Sequence, residues 1–218
     1  MAFDEDLFKQ FREKDQPILR FFYFFQPTLT LGRLEARRLD LSKLKYPHEI
    51  RPTGGRAVLH GKDDLCYSII APKKDSLVGG DLLESYRKIG KLLAGGIQTL
   101  GRETVLTSSK HRGLNDPHCF SAPSQSELIF KGKKVAGGAQ ARREDVFLQQ
   151  GVLLLSVSGD WTKAFPGAQP ENMIGLNDDP NLKVVDREQL EGALGNAFES
   201  AGVRFEKPLT SPAPSLKL

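Results

Sequence analysis

Eight short runs of strand-forming residues, at 18–25, 28–31, 57–59, 66–70, 104–106, 127–130, 134–141 and 146–157, dominate the chain. Several are joined by tight Gly or Pro turns that leave no room for a helix between them. A strict alternation of strand and crossover helix is therefore ruled out, and a mixed or antiparallel sheet is expected. Leu82, Tyr86, Ile89 and Leu93 repeat at helical spacing, which predicts a helix starting after Gly79–Gly80 and ending near Gly95–Gly96. A second helix is predicted over 186–201 from the stripe Leu190, Ala193, Leu194, Ala197, Phe198 and Ala201. Asp186 and Gln189 suit a capping box there, and Gly202 a stop. A short helix over 2–12 would place Phe3, Leu7, Phe8 and Phe11 on one side. The expected fold class is α/β (α+β), a central mixed, largely antiparallel sheet flanked by helices. One domain is expected over 1–206, with a loose tail over 207–218 that holds three prolines in 12 residues.

Composition excludes several classes. With 218 residues, 39% hydrophobic and 27% charged, the chain has neither a disordered nor a collagenous balance. Its longest apolar run, 19–25, is interrupted by Arg20 and falls far short of the roughly 18 residues a membrane helix needs. The opening MAFDEDLFKQ is acidic and polar, unlike a secretory signal, so a cytoplasmic location is expected. Thirty-one basic against 27 acidic residues give a net charge of +4, spread along the chain apart from a knot at Lys131, Lys133 and Lys134. An acidic carrier protein or nucleotide phosphates fit that charge better than nucleic acid does. The two cysteines, Cys66 and Cys119, can form neither a disulfide scaffold nor a paired zinc site.

Three segments could carry chemistry. In Arg51-Pro-Thr-Gly-Gly-Arg-Ala-Val-Leu-His60, adjacent glycines allow a sharp turn or a close backbone approach. The segment is either a polar hairpin turn or an anion cradle to which Arg51, Thr53 and Arg56 add donors. Neither GxxxxGK[ST] nor GxGxxG occurs. In Asn115-Asp-Pro-His-Cys-Phe-Ser-Ala-Pro123, Cys119 is either a surface thiol or, beside His118, a nucleophile of lowered pKa. Cys66, inside LCYSIIA, reads instead as a core residue. In Phe130-Lys-Gly-Lys-Lys-Val-Ala-Gly-Gly-Ala-Gln140, the lysines are either a solvated hairpin tip or, at Lys134, a charge leading inward along a strand of small residues that leaves room for a ligand.

Taken together, RPTGGRAVLH, CFSAPSQSELIFKGKKVAGGAQARR and VFLQQGVLLL resemble the lipoate–protein ligase and octanoyltransferase family. MAFDEDLF and RFFYFFQPTLTLGRLEA are similar to its first helix and hairpin, so the resemblance covers about residues 1–157. It implies a central sheet flanked by helices, related to biotin–protein ligase catalytic domains. In the family's terms Cys119 stands where cysteine-dependent octanoyltransferases carry their nucleophile, and Lys134 where the family's lysine is expected. Four positions depart from the usual pattern: Glu35 for glutamine, Ile50 for arginine, Gly138 for serine and Gln150 for histidine.

The resemblance implies that Cys119 takes octanoyl from acyl carrier protein as a thioester and passes it to the lysine of a lipoyl carrier domain. Such a domain would be the glycine-cleavage carrier protein or a 2-oxoacid dehydrogenase subunit. No metal or cofactor is then needed. Lys134 would stabilise the thiolate and position the acyl carbonyl, a role that arginine's fork geometry fits poorly. Thr53, Gly54, Gly55 and Ala57 would line the acyl tunnel with Gly137 and Ala139, while Arg51 and Arg56 meet the phosphopantetheine or the carrier. His60 is either a pocket wall or a satisfied core histidine, and His118 a proton shuttle or a solvent-exposed residue. The alternatives are an ATP- and Mg-dependent lipoate ligase working through an adenylate, and a non-catalytic acyl- or carrier-binding module. Ligases of the family typically carry a C-terminal lobe, for which a chain ending soon after its last helix is expected to have no room.

Overall fold

The computed structural model describes residues 1–107, 127–165 and 170–204. A short helix α1 (Ala2–Gln10) leads into strand β1 (Ile18–Phe22). A second strand, β2 (Thr28–Gly32), runs straight into the one-turn helix α2 (Arg33–Ala36), followed by a 3-10 turn at Leu41–Lys43 and β3 (His48–Arg51). Strands β4 (Val58–His60) and β5 (Leu65–Pro72) precede the long helix α3 (Leu82–Thr99) and β6 (Thr104–Leu106). The second half holds β7 (Leu128–Phe130), β8 (Lys133–Lys134), β9 (Ala136–Arg143), β10 (Val146–Leu153), helix α4 (Asp160–Ala164) and helix α5 (Arg187–Ser200).

Among the described residues the strands form three sheets. The largest, in the order β1-β5-β10-β9, is antiparallel throughout. A second, β3-β2-β4, pairs β2 with β3 in parallel and with β4 antiparallel. A third is β6-β7-β8. The expected mixed, largely antiparallel α/β architecture is present, divided among three sheets. The run 134–141 is split at Val135, which joins two of them. Its N–H donates to Leu128 O in the third sheet at 3.1 Å, and its carbonyl accepts from Leu154 N at 2.9 Å, just beyond β10.

Alternation along β5 assigns the two faces of the large sheet. Leu65, Tyr67, Ile69 and Ala71 point into the core shared with α3 and α5, where Ile89, Leu93, Ile97, Leu190, Leu194 and Phe198 are buried. Cys66 and Ile70 belong to clusters on the opposite face, where Phe8 and Phe11 from α1 and the chain after it cover Ile70, Val146 and Leu148. The capping box of Asp186 with Gln189 forms as the sequence predicts, and Asp81 caps α3 through Glu84 N at 2.8 Å.

Helix α3 does not stop at Gly95–Gly96. A Cβ at Gly96 would lie 2.9 Å from Ala193 O and 3.0 Å from Leu194 Cα. That glycine lets α3 and α5 approach closely, and packing against α5 carries the helix through it. The predicted strands at 18–25 and 146–157 end earlier than expected, at Phe22 and Leu153. α2, β3 and α4 had no periodic signal to announce them. No helix among the described residues is long and apolar enough to cross a membrane.

Candidate active site

The segment 51–60 closes around its own first residue. The buried Arg51 guanidinium donates to Thr30 O at 2.7 Å, Thr30 Oγ1 at 2.9 Å, Gly54 O at 3.0 Å and Arg56 O at 2.6 Å. Charge-assisted bonds of this kind are about twice as strong as neutral ones, so the arginine templates the turn. Gly55 holds φ at +90°, a conformation that favours glycine. Gly32 is needed for a different reason: a Cβ there would sit 2.0 Å from Gly55 O. Thus β2 and the Gly-Gly turn touch backbone to backbone. Arg51 lines a cavity, and these four bonds tie it both to Thr30 on β2 and to the turn itself.

From Thr30 the polar chain continues to His60, whose Nε2 lies 2.8 Å from Thr30 Oγ1 and whose Nδ1 lies 3.2 Å from Cys66 Sγ. Burial, with the Arg51 charge adding to it, pushes the His60 pKa down to about 3, so the ring is neutral. With Thr30 Oγ1 accepting from Arg51, its own proton can go to Nε2, leaving Nδ1–H to face the sulfur. Burial pushes the Cys66 thiol well above its ordinary value, which makes it a packing residue and not a nucleophile. His60 is thus buried and hydrogen-bonded at both ring nitrogens, and it borders a cavity.

A second polar chain approaches from α1. The buried Asp4 forms an ion pair with Arg20 and accepts from Ser68 Oγ at 3.0 Å and from Gln150 Nε2 at 2.8 Å. Gln150 Oε1 accepts from Thr53 Oγ1 at 3.1 Å. One amide thus ties the N-terminal helix to the Gly-Gly turn.

Between these two chains lies a narrow, mostly apolar cavity of about 30 Å³. It is lined by Thr30, Arg51, Val58 and His60 of the second sheet, by Phe22, Cys66, Gly137, Gly138, Ala139, Gln150, Gly151 and Val152 of the large sheet, and by Met1. Two of its glycines are constrained. A Cβ at Gly151 would fall 2.4 Å from the Tyr67 ring, and one at Gly138 would lie 3.3 Å from Gln150 O.

Of the residues singled out from sequence, Arg51, His60, Gly137 and Ala139 meet at this cavity. Thr53, Gly54, Gly55 and Arg56 form the turn behind Arg51, whereas Ala57 packs with Leu31 and Ala36 against α2. Lys134 is buried at the seam of two sheets, 2.7 Å from Glu127 Oε1, and is not among the residues lining the cavity. Cys119 and His118 lie outside the described residues. Sequence reasoning missed Glu127 as the partner of Lys134, and Asp4 and Thr30 altogether. Gln150 was visible only as a departure from the family pattern.

Comparison with known proteins identifies the family and the fold. The lipoyl protein ligase A/B catalytic domain family matches residues 1–204. A relative named Octanoyltransferase LipM from Carboxydothermus hydrogenoformans is 40% identical over 166 residues, which is 73% of this chain and 61% of the relative. The match therefore spans about three fifths of that relative's length. One of the same name from Staphylococcus epidermidis is 36% identical over an alignment covering 100% of this chain and 85% of its own. Among solved structures, a lipoate-protein ligase A bound with ATP superposes with a TM-score of 0.76 at 24% identity, over 95% of this chain and 81% of its own. A bi-partite lipoate protein ligase from Thermoplasma acidophilum gives 0.73 at 22% identity, over 95% and 80%. These likenesses establish the fold, and the family match with the identities above establishes membership: the chain belongs to the lipoyl protein ligase A/B catalytic domain family.

Proposed function

We propose that this chain is an octanoyltransferase of protein lipoylation, moving an octanoyl group from acyl carrier protein through Cys119 to the lysine of a lipoyl carrier domain. The observation that carries the reading is the match to relatives named octanoyltransferases. The apolar cavity between the Arg51-templated turn and the strand 137–139 is where the acyl chain would enter, and at about 30 Å³ it must widen to take an octanoyl chain. In the first half-reaction the Cys119 sulfur forms a bond to the acyl carbonyl carbon. The bond to the phosphopantetheine sulfur breaks, and that sulfur leaves as a thiolate that takes up a proton. One thioester replaces another, so the step is nearly balanced in energy and ATP is not consumed. In the second, the acceptor lysine nitrogen bonds to the same carbon, the Cys119 thiolate leaves, and the amine's proton passes to it. The amide product is the more stable, which draws the sequence forward.

Lys134 sits beside the small-residue strand in an ion pair with Glu127, and from there it would stabilise the thiolate and the acyl oxyanion as they form. Glu127 fixes that side chain in place. The apolar wall keeps water from hydrolysing the acyl-enzyme. His60, neutral and hydrogen-bonded on both sides, serves as wall.

Intact-protein mass spectrometry after mixing with octanoyl-acyl carrier protein, without ATP, tests the reading. An octanoyl adduct that hydroxylamine removes and Cys119→Ser lacks is expected. Normal transfer by that variant would overturn the mechanism, and carrier modification only with lipoate and ATP would make the chain a ligase instead. Lys134→Ala should lose adduct formation while its unfolding transition stays cooperative.

A further inference from the structure

We propose that residues 33–45, the one-turn helix α2 and the 3-10 turn after it, form the docking surface for the donor, an acidic carrier protein presenting its acyl group on a phosphopantetheine arm. This deepens the transferase reading and rests on it. The segment Arg33-Leu-Glu-Ala-Arg-Arg-Leu-Asp-Leu-Ser-Lys-Leu-Lys45 has five basic and two acidic residues, a net of +3 within a chain whose whole net charge is +4. Like the lysine knot at 131–134, this segment is a local concentration of positive charge.

Structure sharpens the imbalance. Arg33 pairs with Glu5 at 3.0 Å and Lys43 with Asp40 at 3.1 Å, while Arg37, Arg38 and Lys45 have no carboxylate partner among the described residues. Glu35 is turned inward, beside Arg51 and Arg56, with Oε2 buried and without a hydrogen-bond partner among the described residues, so it does not offset the outward charge. By contrast, the lysine knot at 131–134 is largely neutralised: Lys131 pairs with Asp179 at 3.1 Å and Lys134 with Glu127.

Two exposed leucines, Leu34 at 67% and Leu39 at 41% exposure, interleave with the arginines. An apolar patch rimmed by cations fits a helix whose apolar strip is flanked by carboxylates. Three unpartnered cations are few for a nucleic-acid backbone, whose affinity comes from many phosphate contacts. The surface is also continuous with the site. Helix α2 begins where Gly32 abuts Gly55, and its Ala36 packs on Ala57 at the end of the Gly-Gly turn. A carrier seated here stands beside the wall of the acyl cavity.

The test compares the full-length wild type with Arg37→Glu/Arg38→Glu and with the charge-matched control Lys88→Glu/Lys91→Glu on α3. The probes are holo-carrier protein without an acyl group for affinity, and octanoyl-carrier protein and octanoyl-N-acetylcysteamine for acyl-enzyme formation. At 50 mM salt the arginine variant should bind the holo-carrier about tenfold more weakly, a gap that narrows at 300 mM, as expected for rim charges. Its rate with the small thioester should stay within about twofold of wild type, and the control should match wild type in every assay. Unchanged affinity, an equal loss with the small donor, or an equal loss in the control would overturn the proposal. Charge-dependent binding without acyl transfer from either donor would keep the docking surface and remove the transferase reading. Transfer from the small donor with no effect of Arg37 and Arg38 on binding would do the reverse.

Discussion

Two faces of the four-stranded sheet are built from the same strands by opposite means. Towards α3 and α5, β5 contributes Leu65, Tyr67, Ile69 and Ala71 to a mainly apolar core, crossed by a polar chain from Tyr67 through Gln149 and Gln140 to Ser85 on α3. One residue along, Cys66 and Ser68 join hydrogen bonds that reach His60 and Asp4. Apolar packing is tolerant, because dispersion and burial sum over many contacts and no single geometry is required. The opposite face is specific: Arg51, Thr30, His60, Gln150, Thr53 and Asp4 each require a partner in a fixed place, since an unmatched buried polar group costs about 1–3 kcal/mol. The first face supplies stability and the second shapes a cavity. A cavity wall made of hydrogen-bonded groups can be buried yet remain narrow and defined.

The comparison can be broken first on the apolar side. Leu194→Ala removes a fully buried side chain at the α3–α5 contact and should destabilise the fold by about 2–5 kcal/mol in urea unfolding. Octanoyl transfer assayed well below the new melting temperature should stay within about twofold of wild type, because no cavity residue moves. A larger fall in activity than that would show the two faces to be coupled.

The pH dependence of two buried groups on either side of the β4–β5 turn, Asp64 and His60, is more diagnostic. Asp64, which accepts from Gly61 N at 2.8 Å and Leu155 N at 3.2 Å, has its pKa pushed up by burial to about 7 from 3.8. Between those values the native state holds a proton that the unfolded chain has released, so Asp64 makes stability fall as pH rises. His60, with a pKa near 3 against 6.5, behaves oppositely: the unfolded chain binds the extra proton, and stability rises with pH. Between about pH 4 and 6.5 these two contributions oppose each other, so neither sets the wild-type profile alone. Asp64→Asn should expose the His60 slope, losing about 1.4 kcal/mol for each unit of acidification. His60→Gln should expose the opposite slope. Parallel, flat profiles for both variants would show that these groups do not titrate as their burial demands.

Gln150→Leu should cost about 1–3 kcal/mol by stranding Asp4 Oδ2 and Thr53 Oγ1. Unlike Leu194→Ala, it should also reduce transfer at full foldedness, by loosening the turn that walls the cavity. Retained activity at that stability cost would mean that the Asp4–Gln150–Thr53 link is structural only. The smallest effect belongs to the surface. Glu84→Gln, which removes an exposed i,i+4 pair with Lys88 at 3.0 Å, should change stability by less than about 0.5 kcal/mol and leave activity untouched.

Legibility followed the same division. The helix face was readable because its signals are local: the stripe from Leu190 to Ala201, the box at Asp186 and Gln189, and the alternation through 66–70. The one error there, ending α3 at Gly95–Gly96, arose because a glycine that weakens an isolated helix can serve a helix–helix contact instead. The short elements α2, β3 and α4 escaped notice because they are too brief to carry a period and are held by neighbours distant in sequence.

At the site, Arg51, His60, Gly137 and Ala139 were recognisable as a group only because they resemble a known family. Residue types and spacing by themselves kept a bland hairpin turn in play. What sequence alone determined was the family, the antiparallel β-rich architecture and the residues from which a cavity could be made, since these rest on motifs and on periods of 2 and 3.6 residues. Tertiary structure decided what those residues do: that Arg51 binds its own turn, that Gln150 joins α1 to that turn, and that Lys134 pairs with Glu127. The Gln150 link spans 146 positions, and although Gly54 and Glu127 lie only 3 and 7 positions from their partners, no period along the chain marks them as such. Hydrogen bonds and ion pairs act through space at about 3 Å, and no local pattern along a chain encodes which distant group will arrive at that distance.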